Sequence, residues 1–79
     1  MKVKVKLFAS LRKYIPELDL GESLDVTMKS GSSIAQLYEQ LGIPEDEVKL
    51  AFVNGQYRKS EYVLSDEDEI GIFPPIGGG

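Results

Sequence analysis

The sequence predicts an α+β fold, a mixed sheet of four or five strands with one main helix packed on one face. Three observations carry this. The chain opens on a strictly alternating run, KVKVKLF. A single helix with both ends marked follows at SGSSIAQLYEQLG. Shorter alternating apolar runs return after it and end in EIGIF. With 79 residues the chain is long enough for one small domain.

In KVKVKLF, Val3, Val5 and Leu7 point one way and Lys2, Lys4 and Lys6 the other, the pattern of a half-buried strand with a solvated lysine face. SLRKYIPEL then places Leu11, Tyr14, Ile15 and Leu18 at helical spacing, with Pro16 closing the turn. ESLDVTMKS alternates again through Leu24, Val26 and Met28, a second strand. In the main helix Ser33 is the N-cap, Gln36 completes a capping box and Gly42 supplies the left-handed stop. Its stripe of Ile34, Leu37, Tyr38 and Leu41 is expected to pack on the sheet.

IPEDEVKL adds a helical turn with Pro44 near its start and carboxylates where the helix dipole favours them. LAFVNGQY is a strand that enters a hairpin at Asn54-Gly55. The run Asp66-Glu67-Asp68-Glu69 lacks the alternating ligands and turn glycine of a calcium loop and reads as a solvated acidic turn before the last strand, through Ile70, Ile72 and Phe73. The first and last strands are the most regular, so they are placed centrally, and the long connection between them permits parallel pairing. That arrangement is a β-grasp, the ubiquitin-like roll. Residues 1–73 form the domain and residues 74–79 a projecting tail.

Composition narrows the function. The chain has no cysteine and no histidine, so it carries no thiol nucleophile, no disulfide, no thiolate metal site and no imidazole base. A self-sufficient hydrolase or metalloenzyme is not expected. A net charge of −4 disfavours bulk nucleic-acid binding, and no apolar run is long enough to cross a bilayer, so neither nucleic acid nor membrane is an expected partner. The interleaved lysines at the start do not resemble a signal peptide, which makes the cytoplasm the expected location.

The end of the chain is the unusual part. Pro74 and Pro75 cannot continue a ladder and favour an extended path away from the domain. Six residues from Pro74 to Gly79 can reach roughly 20 Å at about 3.3 Å each. Gly77, Gly78 and Gly79 can enter a channel too narrow for a Cβ. The group delivered at the tip is the Gly79 carboxylate, ionised at neutral pH with a pKa of roughly 3.5 and a poor electrophile until activated.

The opening VKLFASLR, the VNG hairpin and above all LSDEDEIGIFPPIGGG resemble the MoaD/ThiS-type sulfur-carrier branch of the ubiquitin-like proteins, and most of all the small subunit of molybdopterin synthase. The resemblance implies that Gly79 bears the carboxylate that becomes an adenylate and then a thiocarboxylate. It implies that Phe73, Pro74, Pro75, Ile76, Gly77 and Gly78 guide the tail into its partners. Those partners are an adenylyltransferase of the ubiquitin-activating type, which uses ATP, and the large subunit of molybdopterin synthase. The chain itself is expected to bind no cofactor and no metal. It is expected to act as a sulfur-donating subunit that is not catalytic alone.

Gly77 departs from the more varied spacer of that branch. Three terminal glycines also occur among sulfur carriers for thiamine thiazole synthesis, while Phe-Pro-Pro favours the molybdopterin branch. Two further readings stay open, a modifier joined through Gly79 to target lysines and a plain interaction module. The sheet face opposite the helix is expected to meet partners, and the acidic turn is a candidate for steering them.

Overall fold

The computed structural model describes residues 1–19 and 21–75. Strand β1 (Lys2–Leu7) buries Val3, Val5 and Leu7 and exposes its three lysines, as the alternation requires. Strand β2 (Leu24–Thr27) pairs antiparallel with it, and the pairing continues past β2, where the N-terminal ammonium donates to the Met28 carbonyl at 2.7 Å. Strands β3 (Leu50–Val53) and β4 (Gln56–Tyr57) form the hairpin. Strand β5 (Glu69–Phe73) lies between β1, to which it is parallel, and β3, to which it is antiparallel. The resulting order, β2-β1-β5-β3-β4, is the β-grasp arrangement with the first and last strands at the centre.

Helix α1 (Ile34–Leu41) covers one face of this sheet. The Ser33 hydroxyl accepts from the Gln36 N–H at 3.3 Å, and Gln36 Oε1 accepts from the Ser33 N–H at 2.8 Å, so the capping box satisfies two donors that a helix start otherwise leaves open. Gly42 ends the helix in the left-handed conformation at φ 73°. Ile34, Leu37 and Tyr38 are buried against the sheet and Leu41 is half-buried, so the stripe serves packing. Each such apolar side chain contributes about 1.5–3 kcal/mol on burial.

The segment expected to be helical from Leu11 to Leu18 is a 3-10 helix over Ala9–Tyr14. Ile15 precedes Pro16, whose ring disfavours the α conformation there, and Ile15 sits at φ −134°, ψ 74°. Leu11 and Leu18 still reach the core. A second 3-10 helix, over Glu45–Glu47, is the helical turn expected after Pro44. The Tyr14 hydroxyl joins the two, donating to Glu47 Oε2 at 2.5 Å, while Lys13 Nζ stands 3.2 Å from the other carboxylate oxygen.

The acidic run departs from the solvated turn expected of it. Asp68 is buried, accepting from the Asn54 side-chain amide at 2.9 Å and from the Ser65 N–H at 2.7 Å. Asp66 Oδ1 accepts from the Lys2 N–H at 2.8 Å. Four acidic residues in a row signal solvation by composition, but Asp66 accepts from a backbone donor of β1 and Asp68 from the Asn54 side chain of the hairpin and a backbone donor of its own turn. Asp66, Glu67 and Glu69 are exposed. Among the described residues no helix is long and apolar enough to cross a membrane.

Two outcomes are expected from this architecture. Ser33→Ala should lower the stability by about 1 kcal/mol, read as an earlier urea midpoint with an unchanged slope. The second concerns pH. The hydrogen bond to the Glu47 carboxylate, helped by burial and the nearby charges of Glu47 and Asp46, raises the Tyr14 phenol from 10.0 to about 12. The contact therefore contributes fully below pH 10 and is lost as the pH rises towards 12. Glu47 is held below its ordinary 4.5 by Tyr14 and then Lys13, so its contribution is present above that value and is lost as the pH falls through the lowered one. Burial also raises Tyr38 to about 12. Tyrosinate absorbance should show Tyr14→Phe removing one late-titrating phenol while that of Tyr38 remains.

Candidate functional site

Strand β5 is bonded to β1 up to Ile72 and on the β3 side up to Phe73. The Phe8 N–H donates to the Ile72 carbonyl at 3.1 Å, and the Lys49 N–H donates to the Phe73 carbonyl at 2.8 Å. Pro74 and Pro75 follow at once, the first half-buried and the second exposed. Of the residues singled out for the tail, Phe73, Pro74 and Pro75 are thus brought together at the end of the central strand. Ile76, Gly77, Gly78 and Gly79 lie outside the described residues.

The open face of the sheet gathers an aromatic cluster beside this exit. Phe73 stacks face to face on Phe8, with centroids 4.2 Å apart and planes within 4°. Phe52 meets Phe73 edge-on at 5.7 Å, and Tyr57 meets Phe52 edge-on at 6.4 Å. Gly71 lies directly under the stack and leaves it room. A Cβ there would stand 3.3 Å from a ring carbon of Phe8, which would have to give by a few tenths of an ångström, and in ordinary contact at 3.5 Å with one of Phe73. Across Gly71 runs a shallow groove of about 810 Å3, lined by Phe8, Phe52 and Phe73 together with Lys4 and Lys6.

The electrostatics of that face are uneven. Lys4 lies in register between Asp25 on β2 and Glu69 on β5, whereas Lys6 lies beside Gly71. The one ion pair within 4.0 Å among the described residues, Lys13 to Glu47, is elsewhere. Among the described residues no group of carboxylates is arranged to hold a metal ion. The face offers apolar rings, two ammonium groups and, at its edge, the end of β5.

Phe8, Phe52, Tyr57 and Gly71 were not assigned a role by sequence. A signal was present: Phe8 continues the phase of the lysines, and Phe52 is out of phase with Ala51 and Val53, so both rings belong to the face away from the core. What periodicity could not show is that these rings meet.

Known proteins share the fold. A Pyrococcus furiosus protein provisionally assigned as molybdopterin converting factor, subunit 1, is 27% identical and superposes with a TM-score of 0.74, over 96% of this chain and 99% of its own. The Haloferax volcanii small archaeal modifier protein 1 superposes with a TM-score of 0.73 at 18% identity, over 95% of this chain and 98% of its own. A chain from the complex of subunits 1 and 2 of molybdopterin-converting factor of Helicobacter pylori does so with 0.62 at 20% identity, over 100% of both. None of the curated proteins matches the chain. The likeness to solved structures settles the ubiquitin-like β-grasp fold, and the family follows from the sequence match: the ThiS family model covers residues 5–79, and the chain belongs to the ThiS family.

Proposed function

We propose that this protein is a sulfur carrier whose Gly79 carboxylate is adenylated and converted to a thiocarboxylate that donates sulfur in molybdopterin biosynthesis. The observation that carries this reading is the ThiS family match, which runs from the first strand through the tail to residue 79. The fold supports it, since β5 is held on both sides until Phe73 and hands over directly to Pro74 and Pro75.

The chemistry divides between this chain and its partners. Attack of the Gly79 carboxylate on ATP forms a mixed anhydride with adenylate and releases pyrophosphate. A sulfur nucleophile then displaces AMP and leaves the thiocarboxylate. With neither cysteine nor histidine, this chain supplies the carboxylate and the docking surface. An adenylyltransferase of the ubiquitin-activating type supplies ATP chemistry, and the large subunit of molybdopterin synthase receives the sulfur. The Helicobacter pylori neighbour comes from a complex of subunits 1 and 2, which supports such a pairing. The open face, with Phe8, Phe52, Tyr57 and Phe73, suits docking, because aromatic anchors dominate interface energetics. Gly77 beside Gly78 and Gly79 favours a second destination for the sulfur, the thiazole of thiamine.

The deciding experiment is the intact mass of the untagged protein after incubation with the adenylyltransferase, ATP and a sulfur source, beside a version truncated after Gly77. Exchange of one oxygen for sulfur is expected in the full chain alone. An unchanged mass with an enzyme shown to charge another carrier would defeat the reading, and isopeptide linkage of Gly79 to target lysines would replace it with a modifier. Adding the large synthase subunit with its precursor, or the thiazole synthase, then separates the two pathways by which one consumes the thiocarboxylate. Phe52→Ala should weaken association with the large subunit by about tenfold or more in calorimetry while leaving the circular dichroism unchanged.

A further inference from the structure

The sequence contains a single asparagine, Asn54, and Gly55 follows it. An asparagine before glycine is exposed to attack by the next backbone nitrogen, because no Cβ hinders the approach. Both residues have positive φ, 52° and 83°, the geometry of a type I′ hairpin turn, and both are exposed to water.

The fold holds this amide at both ends. Asn54 Nδ2 donates to Asp68 Oδ1 at 2.9 Å, and Asn54 Oδ1 accepts from the Glu69 N–H at 3.0 Å. The Asn54 N–H also donates to the Glu69 carbonyl at 2.8 Å. Asp68 is 6% exposed, and its second oxygen accepts from the Ser65 N–H. The β3–β4 hairpin and the acidic turn are therefore clasped through one side-chain amide and one buried carboxylate. While the clasp is closed, both polar atoms of the Asn54 amide are committed to Asp68 and Glu69.

We propose that Asn54 is a deamidation site which the folded protein keeps shut through its clasp with Asp68 and Glu69, and which opens when the acidic turn leaves the hairpin. The Gly55 backbone nitrogen gives its proton to a solvent base and bonds to Asn54 Cγ. The Cγ–Nδ2 bond breaks, and Nδ2 leaves as ammonia after taking a proton from solvent. Water then adds to either carbonyl of the succinimide and cleaves its bond to nitrogen, leaving aspartate or isoaspartate. No electrons are exchanged with an outside reagent.

The product locks itself out. A carboxylate replaces the amide that donated to Asp68, so a hydrogen bond becomes a meeting of two like charges, one of them buried. Isoaspartate also inserts a methylene into the backbone of the turn. Asn54, Gly55 and Glu69 border the open-face groove, so the new charge lands at the edge of the surface assigned to docking. That consequence rests on the docking reading; the reaction and its gating do not.

The test incubates the untagged full-length protein in mildly alkaline buffer, once folded and once in guanidinium chloride. It follows the amide-to-acid mass change and isoaspartate, located by peptide mapping. The three glutamines are the only other side-chain amides. Loss of the Asn54 amide is expected to be at least about tenfold slower in the folded protein, because the clasp must open first. Asp68→Ala, checked for native circular dichroism, should deamidate several-fold faster than wild type under folding conditions. Asn54→Asp should unfold at a lower denaturant midpoint than wild type. Equal rates in the folded and unfolded wild type would overturn the proposal, whether or not Asp68→Ala folds. A folded Asp68→Ala that reacts no faster would overturn the role of the clasp, and an Asn54→Asp as stable as wild type would overturn the locking.

Discussion

The parallel pairing of β1 with β5 is the constraint on which the rest of the structure depends. Lys4 to Leu7 lie in register with Glu69 to Ile72, so the two ends of the sequence are joined at the centre of the sheet. Closing so long a connection costs chain entropy, although that cost grows only slowly with length. It is offset by the strip of Val3, Val5, Leu7, Ile70 and Ile72 that the pair presents to α1. Without that pair β2 has no partner, β3 has no inner neighbour, and the tail has no fixed root.

Because one helix covers one face, the same pairing leaves the other face open and stocks it. The strand period sends the lysines of β1, Gly71 and Phe73 of β5, and Phe52 of β3 to that side. Phe8 enters from just beyond β1 and stacks on Phe73 over the space that Gly71 leaves. The outcome is a domain whose open, ring-bearing face and whose exit into Pro74 and Pro75 share the same central strand. That arrangement suits the carrier role proposed above.

The acidic run shows how a charged segment can be structural. Asp66 satisfies the N–H of Lys2 at the head of β1, and Asp68 satisfies the Ser65 N–H while binding the amide of Asn54 in the hairpin. Such charge-assisted bonds to backbone donors are stronger than neutral ones, and a buried carboxylate without them would be costly. The turn therefore fastens β1, the β3–β4 hairpin and the start of β5 to one another. Its other members, Glu67 and Glu69, are exposed and present their charge to solvent.

The sequence by itself determined whatever is written within a few consecutive residues. The alternation of KVKVKLF and of EIGIF set the strands and their buried sides. Ser33, Gln36 and Gly42 set the helix and both its ends, and Pro74-Pro75 set the point where the ladder stops. Even the central place of β1 and β5 was legible, from the regularity of the two strands. The 3-10 geometry before Pro16 was not, because helical spacing of Leu11, Tyr14, Ile15 and Leu18 does not distinguish one tight helix from another. Only the tertiary structure decided that Phe8 lies flat on Phe73, that Gly71 makes room for it, and that Asp68 turns inward to Asn54. The physical reason is the same in each case. Periodicity and capping are local and are repeated along the chain, whereas these contacts join residues distant in sequence and exist only once the sheet has brought them within reach.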